Sequence, residues 1–91
     1  MSDLDARFKT ASEESVKLSK APDNATKLKM YALFKQGSEG DVQGTRPGFT
    51  DLTARAKYDA WAGRKGTSKE EAMQQYIDLV ESLKQELGYA G

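Results

Sequence analysis

The residues of this 91-residue chain best suited to binding chemistry are Tyr31 and Lys35, which are four positions apart. Residues with this spacing lie on the same face of an α-helix, and Phe34 lies beside them. A phenol hydroxyl, an ammonium group and an aromatic ring together suit an anionic ligand that carries a flat ring. A lysine followed by a tyrosine occurs again at Lys57-Tyr58. The pattern indicates one site built from two segments, with a glycine-rich stretch between them.

Each of these residues also has an ordinary structural explanation. Tyr31 would serve as a core tyrosine and Lys35 as a solvated lysine near a helix C-terminus, where the helix dipole favours a cation. Taken alone, the pair supports that explanation better than a binding site. Trp61, Tyr76 and Phe8 have helical spacing with other apolar residues, which usually indicates packing. Only the combination of lysines, tyrosines and a long loop indicates reversible binding of an anionic aromatic ligand.

The charge of the chain is balanced overall but unevenly distributed. Lysine and arginine number 14, as do aspartate and glutamate, so the net charge is zero. This balance gives no support to a nucleic-acid or membrane-surface binder, which is normally basic. Between residues 16 and 69, however, eleven basic residues face five acidic ones, so this segment carries +6 and the two ends together carry −6. An anion site is therefore expected in the middle of the chain.

The composition removes the commonest catalytic and metal-binding groups. The sequence contains no histidine and no cysteine, hence no imidazole base, no thiolate nucleophile and no disulfide. The acidic pairs at residues 13–14 and 70–71 are adjacent in sequence, so on a helix their carboxylates point in different directions. We therefore expect a protein without catalytic residues, without a metal site and without a cofactor.

The chain contains no apolar run near the roughly 20 residues that span a bilayer. Its first five residues have neither the charge nor the apolar block of a signal peptide. We expect a single domain over residues 1–91, located in the cytoplasm, monomeric, and without nucleic-acid partners.

Helical spacing of apolar residues predicts four helices and no strand, at residues 3–18, 25–36, 52–63 and 68–88. Short polar side chains that accept bonds from the first free amides stand at each start. These caps are Ser2 or Asp3, Asp23 or Asn24, Asp51, and Ser68, the last with Glu71 in a capping box.

The segment between the second and third helices, residues 37–51, is long and rich in glycine. Loops of this length are often functional. Fifteen extended residues reach about 50 Å, whereas a 13-residue helix is only about 20 Å long. The loop can therefore return to the other end of the second helix. A third helix parallel to the second is then possible, which a short turn would forbid.

Several motifs, in order and with matching spacing, make the chain resemble the acyl-CoA-binding proteins along nearly its whole length. The matching stretches are residues 31–36 (YALFKQ), 40–42 (GDV), 46–48 (RPG), 56–61 (AKYDAW), 65–73 (KGTSKEEAM) and 76–77 (YI). The resemblance implies an all-α, up-down-down-up four-helix bundle in which an overhand loop joins parallel helices 2 and 3. It also implies the ligand, a coenzyme A thioester of a medium- or long-chain fatty acid, which such proteins carry and protect without transforming it.

The resemblance assigns nine residues to the ligand. Tyr31, Lys35 and Lys57 match the residues that hold the adenosine 3′-phosphate. The other six match ligand-side positions: the aromatic residues Phe34, Tyr58 and Tyr76, the apolar Leu28, and Phe8 and Ala11 on the first helix.

Three departures from the family pattern bear on affinity. Val16 stands where many members have a lysine that reaches the ligand, and residues 53–55 (TAR) replace a stretch that usually carries lysines. Arg55 is the candidate replacement for the lost phosphate contact. Tyr58 replaces the usual tryptophan.

Two other functions remain open from the sequence. One is a helical protein–protein interaction module that binds a partner helix through the apolar second helix. The other is a small RNA- or nucleotide-binding domain. Only an acyl-CoA carrier would bind a fatty acyl ester far better than coenzyme A itself.

Overall fold

The computed structural model describes residues 3–90 and contains four α-helices. They are α1 (Asp3–Ser15), α2 (Asn24–Glu39), α3 (Leu52–Ala62) and α4 (Lys69–Leu87). The side chains of Asp23, Asp51 and Ser68 accept bonds from the amides of Thr26, Ala54 and Glu71, which confirms the caps expected for the last three helices. The alternative cap at Ser2 lies outside the described residues.

Side-chain contacts establish the direction of each helix. Lys57 lies over the ring of Tyr31, and Lys35 lies over the ring of Trp61. Moving from Tyr31 to Lys35, toward the C-terminus of α2, therefore corresponds to moving from Lys57 to Trp61, toward the C-terminus of α3. The two helices are parallel, as predicted from the length of the loop that joins them.

The contacts of α4 complete the arrangement. Tyr76 meets Phe34 of α2, and Met73 of α4 approaches Gly37 further along α2, so α2 and α4 run in opposite directions. Tyr76 meets Phe8 of α1 as well. Glu14, later on α1, pairs with Lys84, later on α4. Helices α1 and α4 are therefore parallel, and the topology is up-down-down-up.

The core lies between α1, α2 and α4. It consists of Phe8, Ala11, Leu33, Tyr76, Ile77 and Val80, with the partly buried Leu4, Met30, Met73 and Leu79 packed against it. Helix α3 packs on α2 outside this core. Since α3 has few partners besides α2 and the loop, the space along the α2–α3 contact is open to a ligand.

The long loop, residues 40–51, is hydrogen-bonded to three side chains of α3. The Trp61 indole donates to the carbonyl of Gly40 (2.8 Å), and the Tyr58 hydroxyl donates to the carbonyl of Gly44 (3.0 Å). Arg46 makes two 2.7 Å bonds to the carboxylate of Asp59. These bonds hold the loop along one side of α3 and fix that helix parallel to α2.

A polar cluster fixes the beginning of the loop. The buried amide of Gln36 donates to Asp41 (2.9 Å) and to the carbonyl of Thr67 (2.7 Å), and Asp41 also accepts a bond from the amide of Gly66 (2.9 Å). The end of α2 and the turn that precedes α4 are joined through this cluster.

Two helix ends differ from the prediction. Helix α1 ends at Ser15 rather than at Leu18, because Leu18 pairs with Tyr89 in an antiparallel bridge beyond α4. Helix α2 continues through Gly37 to Glu39. Gly37 is buried in the helix because its missing side chain admits Phe8 and Met73, whose atoms would lie 3.1 Å from an added Cβ.

The third and fourth helices end close to the predicted residues. Helix α3 ends at Ala62, and Gly66 has a positive φ of 93° in the turn that follows. Helix α4 ends at Leu87 and is capped by Gly88 (φ 83°). Among residues 3–90, no helix combines the length and the apolar composition that a bilayer crossing requires.

Candidate ligand-binding site

Two neighbouring cavities open on the face where α2 meets the other helices. The α2–α3 cavity, about 420 Å³, is lined by Asn24, Lys27, Leu28 and Tyr31 of α2 and by Leu52, Thr53, Ala56 and Lys57 of α3. The aromatic cavity, about 360 Å³, is lined by Ser12 and Ser15 of α1, Lys27, Met30, Tyr31 and Phe34 of α2, and Tyr76 of α4. Tyr31 and Lys27 line both cavities, so the two cavities adjoin at these residues and are together called the groove.

Phe34 and Tyr76 line the aromatic cavity, and the ring of Phe8 packs against both of them. The rings of Phe8 and Phe34 are stacked with their centres 5.4 Å apart, and the Tyr76 ring meets Phe8 edge-on at 5.3 Å. Phe8 and Tyr76 are buried, whereas Phe34 is 37% exposed. Phe34 therefore presents a ring face to the cavity, while Phe8 supports it from below.

Tyr76 contributes both to the core and to the cavity wall. Burial raises the pKa of its hydroxyl, and the neighbouring Ser15 hydroxyl partly offsets this effect. The phenol thus remains protonated near neutral pH and can donate a hydrogen bond to an acceptor in the cavity.

Lys57 and Tyr31 meet where the two cavities join. The Lys57 ammonium lies 5.5 Å from the centre of the Tyr31 ring, at a distance typical of a cation–π contact. The lysine is exposed and the tyrosine is half-buried. The ammonium and the phenol together form a positively charged edge that can bind a phosphate group.

The family profile that matches this sequence is described as "Acyl CoA binding protein" and covers residues 5–80. The chain belongs to the acyl-CoA-binding protein family. An acyl-CoA-binding protein homolog of Drosophila melanogaster is 46% identical over 77 residues, which are 85% of this chain and 90% of the fly protein. The homolog of Manduca sexta is 44% identical over 86 residues, 93% of this chain and 96% of that protein.

The fold is also that of acyl-CoA-binding proteins. The crystal structure of acyl-CoA-binding protein 2 of Oryza sativa superposes with a TM-score of 0.87 at 41% identity, covering 91% of this chain and 92% of the rice chain. The similarity extends over most of the chain, which confirms the all-α bundle and the family resemblance found in the sequence motifs.

The structure brings six of the nine residues expected for an acyl-CoA-binding protein to the groove. Leu28, Tyr31, Phe34, Lys57 and Tyr76 line it directly, and Phe8 lies beneath Phe34. The remaining three, Lys35, Tyr58 and Ala11, are placed elsewhere.

Lys35 lies one turn beyond Tyr31 on α2, outside both cavities. It forms an ion pair with Glu39, and its ammonium lies 4.9 Å from the centre of the Trp61 ring. An exposed ion pair between positions four apart contributes only about 0.3–0.5 kcal/mol. Rotation of Lys35 toward the groove would break this ion pair and also its contact with the Trp61 ring.

Tyr58 and Ala11 face other parts of the molecule. The Tyr58 hydroxyl is bonded to the loop at Gly44, on the side of α3 that the loop covers. Ala11 is buried in the core and lines another cavity of about 310 Å³, between α1 and α4. Sequence spacing could not separate these faces, because the rotation of each helix depends on its neighbours.

Two departures from the family pattern have structural consequences. Val16 is 82% exposed beyond the end of α1 and lines neither cavity. The guanidinium of Arg55 stacks on the exposed ring of Phe49, with its carbon 4.1 Å from the ring centre. Arg55 is thus engaged by the loop, and in this conformation it does not replace a phosphate contact in the groove.

Sequence reasoning missed several lining residues, notably Lys27, Ser12 and Ser15. A signal for Lys27 was present, because it precedes Tyr31 by four positions on the same helix face. The serines carry no comparable signal, since their role depends on how α1 packs against α2. In the part of the chain that the structure describes, no group of three or more acidic, histidine or cysteine side chains is placed to hold a metal ion.

Proposed function

We propose that this protein binds medium- and long-chain fatty acyl-CoA esters in the groove and acts as an intracellular, cytoplasmic carrier of them. The observation that carries the proposal is that the α2–α3 cavity and the aromatic cavity adjoin at Tyr31, with the ammonium of Lys57 beside its ring. These three features match three parts of an acyl-CoA ester, namely the hydrocarbon chain, the adenine ring and the phosphate groups.

The α2–α3 cavity suits the acyl chain. Leu28, Leu52 and Ala56 give it aliphatic walls, and the stems of Lys27 and Lys57 extend them. Each CH₂ group that leaves water contributes roughly 0.8 kcal/mol, so a sixteen-carbon chain supplies on the order of 10 kcal/mol if wholly buried. Chain length should therefore control affinity until the cavity is full.

The aromatic cavity suits the adenine ring. Phe34 and Tyr31 offer ring faces, and stacking of a base on an aromatic side chain is worth about 1–3 kcal/mol in proteins that bind single-stranded nucleic acids. The hydroxyls of Ser12, Ser15 and Tyr76 surround the same space and can bond to the ring nitrogens. This combination of a flat apolar surface and hydroxyls is better suited to a base than to a hydrocarbon chain.

The 3′-phosphate is assigned to Tyr31 and Lys57, with Lys35 able to join them after leaving Glu39. Charge-assisted bonds to phosphate are short and strong, and the tyrosine hydroxyl adds directional specificity. The protein as proposed is a single-domain monomer over residues 1–91, needs no cofactor, has no nucleic-acid partner and performs no reaction on its ligand.

Isothermal titration calorimetry on Ala56→Leu tests the placement of the chain. The larger side chain reduces the volume of the α2–α3 cavity, so affinity for hexadecanoyl-CoA should fall while affinity for free coenzyme A is unchanged. Ala54→Leu is the matched control, because Ala54 is on the same helix and lines neither cavity. An equal loss for both ligands would contradict an acyl chain between α2 and α3. A parent protein with no preference for the ester would instead favour a helical interaction module.

A further inference from the structure

We infer that Lys27 is a third cation of the binding site and contacts a phosphate group of the ligand. This inference rests on the proposed function, since it names a further contact in the same groove. It concerns a residue that neither the sequence motifs nor the family resemblance assigns to the ligand.

The position of Lys27 carries the inference. Of the residues that line the groove, only Lys27 and Tyr31 line both cavities. They are four positions apart on α2, so Lys27 lies one turn before Tyr31 on the same face. Lys57 approaches Tyr31 from α3. The two ammonium groups can therefore converge on an anion beside Tyr31 from two different helices.

The ammonium of Lys27 is also available. Within residues 3–90, its side chain forms no ion pair, hydrogen bond or aromatic contact, and the residue is exposed. Lys35, by contrast, is paired with Glu39 and lies over Trp61. A ligand phosphate can recruit Lys27 without breaking an existing interaction, whereas it must separate Lys35 from Glu39.

The chemistry of the groove limits what Lys27 can bind. Its aliphatic stem can pack against the apolar residues of the lining, such as Leu28 and Phe34, whereas its ammonium requires a polar or anionic partner. An acyl-CoA ester offers two kinds of phosphate near the adenine, the 3′-monoester and the pyrophosphate. Both accept charge-assisted hydrogen bonds from an ammonium group.

The test is calorimetric titration of dodecanoyl-CoA into Lys27→Met and Lys27→Arg. Methionine keeps the length and apolar character of the stem but removes the charge, whereas arginine keeps the charge. Because Lys27 is exposed, we expect a loss at the lower end for a bond to a charged group, about tenfold for Lys27→Met. Lys27→Arg should bind within about threefold of the parent. Lys29→Met is the matched control, since Lys29 is exposed on the same helix and lines neither cavity.

Two ligand analogues identify the phosphate. Dodecanoyl-dephospho-CoA lacks the 3′-phosphate, and dodecanoyl-pantetheine lacks every phosphate. If the effect of Lys27→Met disappears with the first analogue, Lys27 binds the 3′-phosphate. If it persists there but disappears with the second, Lys27 binds the pyrophosphate.

Three results would overturn the inference: an unchanged affinity of Lys27→Met for dodecanoyl-CoA, an equal loss in Lys29→Met, or a full effect with dodecanoyl-pantetheine. The proposed function stands or falls separately, on whether the parent protein prefers dodecanoyl-CoA to free coenzyme A. Circular dichroism of each variant checks that the helices are intact, and exposed lysines should change the free energy of unfolding little.

Discussion

The Lys57 ammonium lies 5.5 Å from the centre of the Tyr31 ring, across the contact between two parallel helices. Two segments separated by the long loop are thereby brought to one point. The loop makes this possible because it returns the chain to the start of α2 before α3 begins. A short turn would have made α3 antiparallel to α2, and Lys57 would then have been beside a different part of α2.

Lys57→Ala should weaken binding of acyl-CoA about 10- to 150-fold. A hydrogen bond to a charged group is worth roughly 1.5–3 kcal/mol, which corresponds to that range. The free energy of unfolding should change by less than about 0.5 kcal/mol, since the side chain is exposed. Calorimetric titration gives the first quantity and urea unfolding the second. Binding equal to that of the parent would show that Lys57 is merely solvated.

Lys35→Ala should reduce affinity less than Lys57→Ala, because the parent Lys35 must first leave Glu39. Glu39→Gln removes that competing partner and should raise affinity about twofold, the equivalent of the roughly 0.3–0.5 kcal/mol expected for an exposed pair of this spacing. The gain should vanish when Lys35 is also replaced by alanine. If the gain persists in the variant that combines Glu39→Gln with Lys35→Ala, Glu39 affects ligand affinity independently of Lys35.

Tyr76→Ala should lower both stability and affinity, whereas Tyr76→Phe should lower affinity alone. Tyr76 packs against Phe8 and Phe34, and removal of a buried aromatic ring typically costs about 3–5 kcal/mol of unfolding free energy. Phenylalanine keeps the ring and removes only the hydroxyl that faces the cavity. Urea unfolding and titration of both variants separate the two effects. Normal binding by Tyr76→Phe would show that the hydroxyl does not contribute to binding and that Tyr76 serves only in packing.

Asp41 should make the fold more resistant to urea at neutral pH than at low pH. The amide of Gly66, and then the side chain of Gln36, hold the pKa of this carboxyl below its ordinary value. A carboxyl with a lowered pKa stabilises the fold above its ordinary pKa of about 3.9, and this contribution is lost as pH falls through the lowered value. Asp41→Asn should therefore differ most from the parent near neutral pH, and the difference should begin to shrink as pH falls below about 4. A difference that stays constant between pH 7 and pH 2 would contradict this account.

The helices and their caps could be predicted from the sequence because both are local. Apolar spacing within one segment placed α4 within a residue at each end, and Ser68 caps it as expected. The parallel course of α2 and α3 followed from chain length alone. The exceptions were set by distant partners: α2 continues through Gly37 because Phe8 and Met73 pack there, and α1 stops at Ser15 because Leu18 pairs with Tyr89.

The composition of the groove was predictable only in part. Tyr31 and Lys57 were found because their residue types suit the ligand, and the structure shows that they meet. Tyr58 belongs to a matching motif but its hydroxyl bonds to the loop, since the rotation of α3 depends on contacts with residues 40–46. Lys27 was missed although its spacing places it on the same helix face as Tyr31, because spacing alone does not show whether a cavity adjoins an exposed lysine.

The central claim is that an acyl chain and a nucleotide bind to one groove, and a series of acyl-CoA esters tests it most directly. Calorimetric titration should compare free coenzyme A with octanoyl-, decanoyl-, dodecanoyl- and hexadecanoyl-CoA at one salt concentration. At roughly 0.8 kcal/mol per buried CH₂, affinity should rise on the order of tenfold for every two carbons, up to about a dozen carbons or more, with an increasingly negative heat-capacity change. Equal affinities across the whole series would contradict the account and would indicate a site that binds only the nucleotide part of the ligand.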